Sequence, residues 1–208
     1  FINRNSYFDA TNVRDEYIAT GYAQGIVFNT NGSITLRTAA SGSADAAVTW
    51  NNVITADSDG LKFNDDTAAA NALDDYEEGS FTPVFTGSGG STGSYNTGEH
   101  EARYTKVGRL VTIHWKLTLT NKGSWSGEVR FTGLPFTPAF TLNGAGSIEL
   151  GNVNYTGDSV GNVNTYITAS QTYWRPRYTK DNEGAVMVQV SEVDNDAFFG
   201  GTLSYIVA

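Results

Sequence analysis

The side chains best suited to acid–base catalysis are the two histidines, His100 and His114. His114 lies on the polar side of an alternating segment, and His100 lies in a stretch rich in glycine and glutamate. A catalytic triad or a histidine-rich metal site needs more such groups than the chain offers. We therefore expect structural roles for both, unless threefold symmetry gathers three copies of one histidine on an axis.

Carboxylates are more numerous, and a pair of them set roughly 5 to 10 Å apart can hydrolyse a glycosidic bond. Enzymes that cut polysaccharides in this way usually carry the pair on a long β-helix, which a short chain rich in turns does not indicate. We therefore expect solvated acidic loops and no catalytic residues. The carboxylates considered are Asp57, Asp59, Asp74, Asp75, Glu77, Glu78, Asp194 and Asp196.

Two short acidic runs could bring oxygen ligands for calcium close together, at residues 64–66 (NDD) and 194–196 (DND). Neither run has the spaced ligand set of an EF-hand loop. Turns commonly have this composition. The sequence therefore predicts no metal ion, and no other cofactor.

Aromatic side chains in loops could contact a glycan or a protein, because a flat ring stacks on a sugar face at low entropic cost. Trp125 lies within residues 122–127 (KGSWSG), a composition typical of a hairpin tip. A second group of aromatic residues is accompanied by two arginines that could pair with acidic sugars. The candidate receptor-binding residues are Trp125, Tyr155, Tyr166, Tyr173, Trp174, Arg175 and Arg177.

The alternative for part of this group is a role in packing. Trp174 and Tyr178 could lie inside the folded domain or between protomers, and this interpretation is slightly favoured. Trp50 and Trp115 are both expected on buried faces of strands.

The chain that carries these residues has the composition of an all-β protein. Of its 208 residues 17% are charged and 12% aromatic, and 23 are glycine, which suits strands joined by tight turns. The absence of cysteine excludes disulfides and thiolate metal sites. A net charge of -9, with basic residues scattered singly, argues against nucleic-acid binding.

The ends and apolar runs of the sequence bear on location and processing. No apolar run approaches the roughly 20 residues of a membrane helix, so membrane insertion is not expected. The start lacks the layout of a signal peptide. Because the chain begins with Phe1 and its single methionine is Met187, we expect a processed or truncated product.

Residues 1–66 form the first of three predicted regions, a β-rich shaft. Short β-prone pieces at residues 25–28, 33–36 and 46–50 alternate with polar turns at residues 30–33 and 40–43. Such strands are too short and too polar to form a good core alone. They typically gain stability by packing against copies of themselves, which predicts an intertwined oligomer.

A short helical linker, residues 67–78, is predicted next. Three consecutive alanines favour a helix over residues 67–76, with Thr67 as its N-cap. Acidic residues after Leu73 oppose the helix dipole, so the helix should end near Tyr76.

Residues 79–208 are predicted to form an antiparallel β-sandwich, with a jelly roll as the preferred version. The strongest pattern is at residues 110–120, where five large apolar residues alternate with polar ones. A slip of one residue would expose all five, so the strand's register is well determined. Weaker strands are predicted at residues 128–131, 148–153, 163–169, 172–178, 186–193 and 202–207.

Two sets of motifs resemble segments of bacteriophage tail fibres and related virion proteins, especially those of marine and other environmental phages. The first set is similar to a fibre pattern in which a strand ends in tryptophan before an Asp-Gly turn. The second is similar to a Glu-Gly-Thr-Trp-Thr-Pro module with a later Gly-Leu-Pro-Phe turn. The first set comprises residues 5–12 (NSYFDATN), 17–21 (YIATG), 41–44 (SGSA), 46–50 (AAVTW) and 56–61 (ADSDGL), and the second residues 74–83 (DDYEEGSFTP), 102–111 (ARYTKVGRLV) and 131–136 (FTGLPF).

The resemblance covers residues 5–136 by motif, in an order that the family also uses. One departure is Ser80-Phe81 where threonine-tryptophan is usual, which keeps an aromatic anchor. Another is the absence of the self-cleaving chaperone pattern that often follows such shafts. The motifs mark turns and the starts of strands, so they indicate the class of protein and do not identify a binding site.

The resemblance implies a non-enzymatic, C-terminal tail-fibre module that works as a homotrimer and attaches to a glycan or protein of the host surface. Its other implied partners are upstream tail or virion proteins, and its implied location is the virion. An alternative is a purely structural virion component, such as a head fibre, collar or tail decoration. A polysaccharide depolymerase fragment is the least favoured alternative.

Overall fold

The chain forms two β-rich units in a computed structural model, Phe1–Asp75 and Tyr76–Ala208. The structure describes residues 1–139, 143–155, 160–169, 171–181 and 184–207, and the side chain of residue 70 is not described. The division between the units falls inside the predicted linker. No helix in these ranges is long and apolar enough to cross a membrane.

The first unit is built on a five-stranded antiparallel sheet with the order β1-β4-β5-β6-β7, accompanied by the hairpin β2-β3. The predicted turn at residues 30–33 joins β4 to β5, where Gly32 adopts a positive φ of 87°. The strands are β1 (Ile2–Arg4), β2 (Ser6–Asp9), β3 (Arg14–Tyr17), β4 (Gly21–Phe28), β5 (Ile34–Gly42), β6 (Asn51–Asp57) and β7 (Gly60–Phe63).

Two expectations for this unit are wrong. Residues 40–42 of the predicted turn belong to β5, because the hydroxyl of Tyr17 donates to the Ala40 carbonyl and its ring lies where Gly42 has no side chain. Residues 46–50 form no strand and have one isolated bridge, between Glu16 and Ala47. β-propensity was overridden there by pairing with the hairpin instead of with the sheet.

Trp50 is partly buried, against the buried cluster of Tyr17, Ala23 and Ala39. Its indole N–H donates to the Asp15 carboxylate over 2.6 Å, and the guanidinium of Arg37 lies 3.9 Å from the ring centroid. Arg37 is also 3.0 Å from the same carboxylate. This side of the sheet is therefore closed by a mixed polar and aromatic contact.

The opposite side of the same sheet is apolar and largely open. Cross-strand pairing places Ile2, Ile26, Leu36, Ile54 and Phe63 directly opposite one another in a single row across all five strands. Direct partners in an antiparallel ladder share a face. A second row on this face comprises Phe28, Ile34, Ala56 and Leu61, and we call the two rows together the apolar sheet face.

The predicted helix at residues 67–76 is instead a single 3-10 turn, Ala69–Asn71, so the prediction of an α-helix is wrong. Ala68, and not Thr67, is its N-cap residue, without a side-chain cap. The Asp66 carboxylate accepts hydrogen bonds from the Ala68 N–H and the Asn71 amide. These local bonds compete with helix growth.

The described strands of the second unit form an eleven-stranded antiparallel sheet, with the path β8-β10-β11-β18-β13-β15-β16-β12-β9. Off this path, β14 pairs with β18 and β17 pairs with β16. The strands are β8 (Tyr76–Phe81), β9 (Val84–Thr86), β10 (Ser94–Val107), β11 (Leu110–Asn121), β12 (Arg130–Thr132), β13 (Gly144–Gly146), β14 (Ile148–Val153), β15 (Val160–Ile167), β16 (Tyr173–Lys180), β17 (Ala185–Met187) and β18 (Val193–Ile206).

The long alternating strand is confirmed as β11, and the five apolar residues of its alternating pattern, from Val111 to Leu119, are buried. Trp115 of β11 packs on Phe131 of β12 and Trp174 of β16, with ring centroids 4.5 Å and 5.4 Å apart. These strands are distant along the hydrogen-bonded path, so the sheet bends over on itself around one core. The antiparallel, sandwich-like fold class is therefore confirmed.

The weaker strand predictions differ in their bounds. The strand predicted at residues 148–153 is β14, with the same limits. The segment 186–193 is divided, because the 3-10 turn Val190–Glu192 interrupts it after β17. The C-terminal strand β18 begins at Val193 and is much longer than predicted.

Candidate binding site

Strand β16 carries the site, because its residues alternate between the core and the outer face of the sheet. Trp174, Pro176 and Tyr178 are buried, whereas Tyr173 and the two arginines between these residues are only partly buried. Period-two alternation in the sequence therefore sends Tyr173, Arg175 and Arg177 to one side.

Neighbouring strands add residues to the same side. On β15, Tyr166 pairs directly with Arg175, and Asn164 pairs with Arg177. On the other flank, Phe131 of β12 pairs with the inward-facing Trp174. The adjacent residue Arg130 is therefore directed to the outer face.

Three guanidinium groups and two phenol rings alternate along this face. The Arg130 guanidinium lies 4.5 Å from the centroid of Tyr173, and that of Arg175 lies 5.5 Å from the same ring. Arg175 and Arg177 lie 5.0 Å and 4.3 Å from the centroid of Tyr166. We call the series Arg130, Tyr173, Arg175, Tyr166 and Arg177 the arginine–tyrosine ladder.

Hydrogen bonds hold the middle of the ladder in place. Arg175 donates to the Glu128 carboxylate over 2.8 Å and to the Tyr166 hydroxyl over 2.6 Å. That hydroxyl in turn donates to the sulfur of Met187. Charge-assisted bonds of this length are the strong ones, so Arg175 is well ordered.

The two outer arginines are less fully engaged. Arg177 donates through Nε to the Asn164 side chain over 2.8 Å, and no carboxylate in the described part of the chain lies within ion-pair distance of it. Arg130 reaches Glu128 only at 4.0 Å, and its buried Nε has no hydrogen-bond partner among the described residues. Glu128 thus compensates one of three positive charges.

The chemistry available at the ladder is binding of negative charge. Guanidinium groups stay protonated at any physiological pH, and their planar fork of N–H donors matches a carboxylate or a phosphate. Each of the three is stacked on a phenol ring, which fixes its plane and leaves N–H edges for a ligand. The chain as a whole carries a net charge of -9, so the ladder stands out electrostatically.

Of the predicted receptor-binding residues, the structure brings together Tyr166, Tyr173, Arg175 and Arg177. Trp174 is fully buried beneath them and packs against Trp115 and Phe131. Its position matches the packing alternative stated above for Trp174 and Tyr178. No part of the Trp174 ring is exposed to a ligand.

Trp125 and Tyr155 lie apart from the ladder and form no ring contact or hydrogen bond with it among the described residues. Trp125 is half-buried against the core, and its indole N–H is buried without a described partner. Tyr155 stacks edge-on against Tyr178 at 4.8 Å. Burial, with Glu192 nearby, raises the pKa of Tyr155 to about 12, so this phenol stays neutral.

His100 and two of the candidate carboxylates have structural partners. His100 stacks on Tyr95 at 4.1 Å, and its Nε2 is 2.5 Å from the Pro83 carbonyl, to which it must donate because a carbonyl only accepts. Asp57 and Asp59 both bind Lys62. In the described part of the chain, no three His, Asp or Glu side chains form a group that could hold a metal ion.

Sequence reasoning missed Arg130, Glu128 and Asn164 as members of the site. The alternation at residues 128–131 does place Glu128 and Arg130 on one face of a strand. The alternation does not show that β12 pairs with β16, because Phe131 and Trp174 are far apart in the sequence.

Comparisons of the chain with protein-family models, with curated proteins and with solved structures found no match.

Proposed function

We propose that this chain is the C-terminal part of a phage tail-fibre-type protein and that it attaches the virion to a glycan or protein of a bacterial surface. The observation that carries the proposal is the arginine–tyrosine ladder on the outer face of β16. An ordered, positively charged group on an acidic chain is a recognition surface for which packing alone gives no reason.

The position of the ladder on strands supports a binding role. Its side chains come from β12, β15 and β16, whose register is fixed by the buried residues Phe131, Trp174 and Tyr178. A site supported by a packed core keeps its geometry when a ligand arrives and loses little conformational entropy on binding.

The apolar sheet face supports the homotrimer. Exposed aliphatic and aromatic side chains in two continuous rows cost free energy in water and favour burial. The five strands span about 19 Å between the outermost strands at the usual strand spacing. Three copies of one such face can close around a threefold axis as a prism, and each copy then buries its rows against the other two.

The occupant of this face is another copy of the chain because the unit has little core of its own. Its buried cluster is formed by Tyr17, Ala23 and Ala39, whereas Ile2, Phe28 and Phe63 remain about half exposed or more. A unit that leaves its largest apolar residues in water is stable only when a partner covers them. A second copy is present wherever the first is made.

The test uses the whole chain. Light scattering coupled to size exclusion should give three times the 22.3 kDa chain mass. Fluorescently labelled trimer should then bind a subset of a panel of bacteria, saturably and in competition with unlabelled protein. A monomer at micromolar concentration contradicts the homotrimer.

A stable trimer that binds no bacterium in a broad panel would contradict the attachment role and favour a structural component of the virion. Release of reducing sugar from bound cells would instead favour a depolymerase. Each of these readouts is independent of the ladder, so they judge the function without presupposing the site.

A further inference from the structure

We propose that the ladder binds the oxyanion groups of an acidic surface polysaccharide through the N–H edges of Arg130 and Arg177. The inference rests on the proposed attachment function and specifies the chemical class of its ligand. It is drawn from the stacking, pairing and exposure of the ladder residues.

The stacking determines which surface a ligand can use. Tyr173 has guanidinium groups of Arg130 and Arg175 against it, and Tyr166 has those of Arg175 and Arg177. Tyr166 is also buried, so these tyrosines offer a sugar ring little free face for the usual stacking. The remaining attraction is hydrogen bonding from guanidinium edges, which is strongest with acceptors that carry negative charge.

The pairing determines which arginines act. Arg175 is held by Glu128 and its side chain is only 15% exposed. Arg130 and Arg177 flank it and are less fully paired, because Arg130 reaches Glu128 only at 4.0 Å and Arg177 has no carboxylate partner among the described residues. Arg175 is thus a neutralised guanidinium group with one charged guanidinium group on each side. This arrangement suits a ligand with more than one oxyanion.

The spacing favours a polymer over a small anion. Arg175 and Arg177 are two residues apart on one strand, about 6.8 Å along the sheet, and Arg130 is on the adjacent strand. The ladder lies along an open sheet face, so a single small anion would stay solvated and weakly held. A polysaccharide with a repeating negative charge can contact both ends of the ladder at once.

Carboxylate, phosphate and sulfate groups share this chemistry, and all occur on polymers. The probes are therefore tetragalacturonate for carboxylate, poly(glycerol phosphate) for phosphate, dextran sulfate for sulfate, and unmodified dextran as the neutral control. Binding of the full chain to each is measured by titration calorimetry at low and at physiological salt.

We expect measurable binding to at least one anionic probe, no binding to dextran, and weakening by salt. Arg177→Gln and Arg130→Gln should each lower the affinity roughly ten- to a hundredfold, because each removes hydrogen bonds to a charged group. Arg177→Lys should restore part of the loss by keeping charge without the fork.

The matched control is Lys116→Gln. Lys116 is a half-exposed cation of the same unit that lies 3.7 Å from Glu101 and has no contact with the ladder. Lys116→Gln changes the net charge by the same amount as Arg177→Gln. Because Lys116 lies away from the ladder, the affinity should fall less than twofold. Circular dichroism and melting temperature check that each variant remains folded.

Equal losses for Lys116→Gln and Arg177→Gln would overturn the proposal, since they would show general attraction to net charge. Absence of binding to all anionic probes would also overturn it. If the labelled wild-type chain and the Arg130 and Arg177 variants bind cells equally well, the attachment function is supported and the ladder is excluded as the binding site. If the chain binds the anionic probe but no cell, anion binding by the ladder is supported and the attachment function is contradicted.

Discussion

Trp115 and Trp174 meet edge to face in the core of the larger unit, with ring centroids 5.4 Å apart and an interplanar angle of 76°. Trp174 is also the residue directly beneath the ladder, since it separates Tyr173 from Arg175 on β16. The packing of this pair therefore fixes the strand from which the ladder projects.

We expect Trp174→Ala to lower the free energy of unfolding by about 3–5 kcal/mol, the usual cost of emptying a large core site. Urea denaturation monitored by circular dichroism measures the change. Trp125→Ala is the control, because Trp125 is only half-buried and should cost clearly less. Equal losses for the two variants would contradict the central position assigned to Trp174.

Glu128→Gln should strengthen binding of anionic polysaccharide. The substitution removes the carboxylate that compensates Arg175, so a third guanidinium becomes available to the ligand. We expect a severalfold higher affinity for the preferred anionic probe at low salt, and a smaller gain at physiological salt. Because Glu128 is about one third exposed, stability should fall by about 1 kcal/mol or less. An unchanged affinity would show that Arg175 does not face the ligand.

Leu36→Glu should disrupt the homotrimer. Leu36 lies in the middle of the apolar row, directly opposite Ile26 and Ile54, and burial of an unpaired charge there is unfavourable. We expect the mass from light scattering to fall from three chains to one. Val13→Glu adds the same charge in the exposed turn between β2 and β3 and should leave the mass unchanged. A trimeric Leu36→Glu variant would exclude the apolar sheet face as the interface.

The first unit should lose stability in acid through Asp57. The pKa of Asp57 is lowered below its ordinary 3.8, chiefly by a hydrogen bond from Lys62 and then by the Asp59 backbone N–H. A carboxyl with a lowered pKa in the folded state contributes stability at pH values above 3.8, and that contribution is lost as the pH falls further. Unfolding should therefore become easier below about pH 4.

Lys62→Met removes the hydrogen bond that lowers the pKa of Asp57, so the variant's stability should vary less with pH in this range. Urea midpoints between pH 2.5 and 6, followed through Trp50 fluorescence in a chain with the other tryptophans replaced by phenylalanine, measure the dependence. Lys116→Met is the control, because its carboxylate partner lies 3.7 Å away at an exposed position. Parallel curves for the two variants would contradict the assignment.

Local sequence patterns were sufficient to predict features that depend on a single strand. The alternation at residues 110–120 predicts both the strand β11 and its buried side, and alternation around Trp174 separates core residues from ladder residues. Each residue's side of the sheet follows from parity alone, without knowledge of the neighbours.

Non-local pairing accounts for what was missed. Arg130 joins the ladder because β12 lies beside β16, and no short-range signal specifies that neighbour. The alanine run failed as a helix for a related reason, since Leu73 pairs with Leu61 as an isolated bridge and Asp66 binds the backbone that a helix would need. Contacts between distant residues thus overrode the local helix propensity of the alanine run.

The location of the ladder on strands, and not on loops, has a consequence for evolvability. A change at Arg130, Tyr166, Tyr173, Arg175 or Arg177 replaces a side chain while the backbone beneath it stays pinned by the core. New ligand preferences are therefore accessible by point substitution, without insertions and without refolding a loop. A library randomised at these five positions would sample specificity on a constant scaffold.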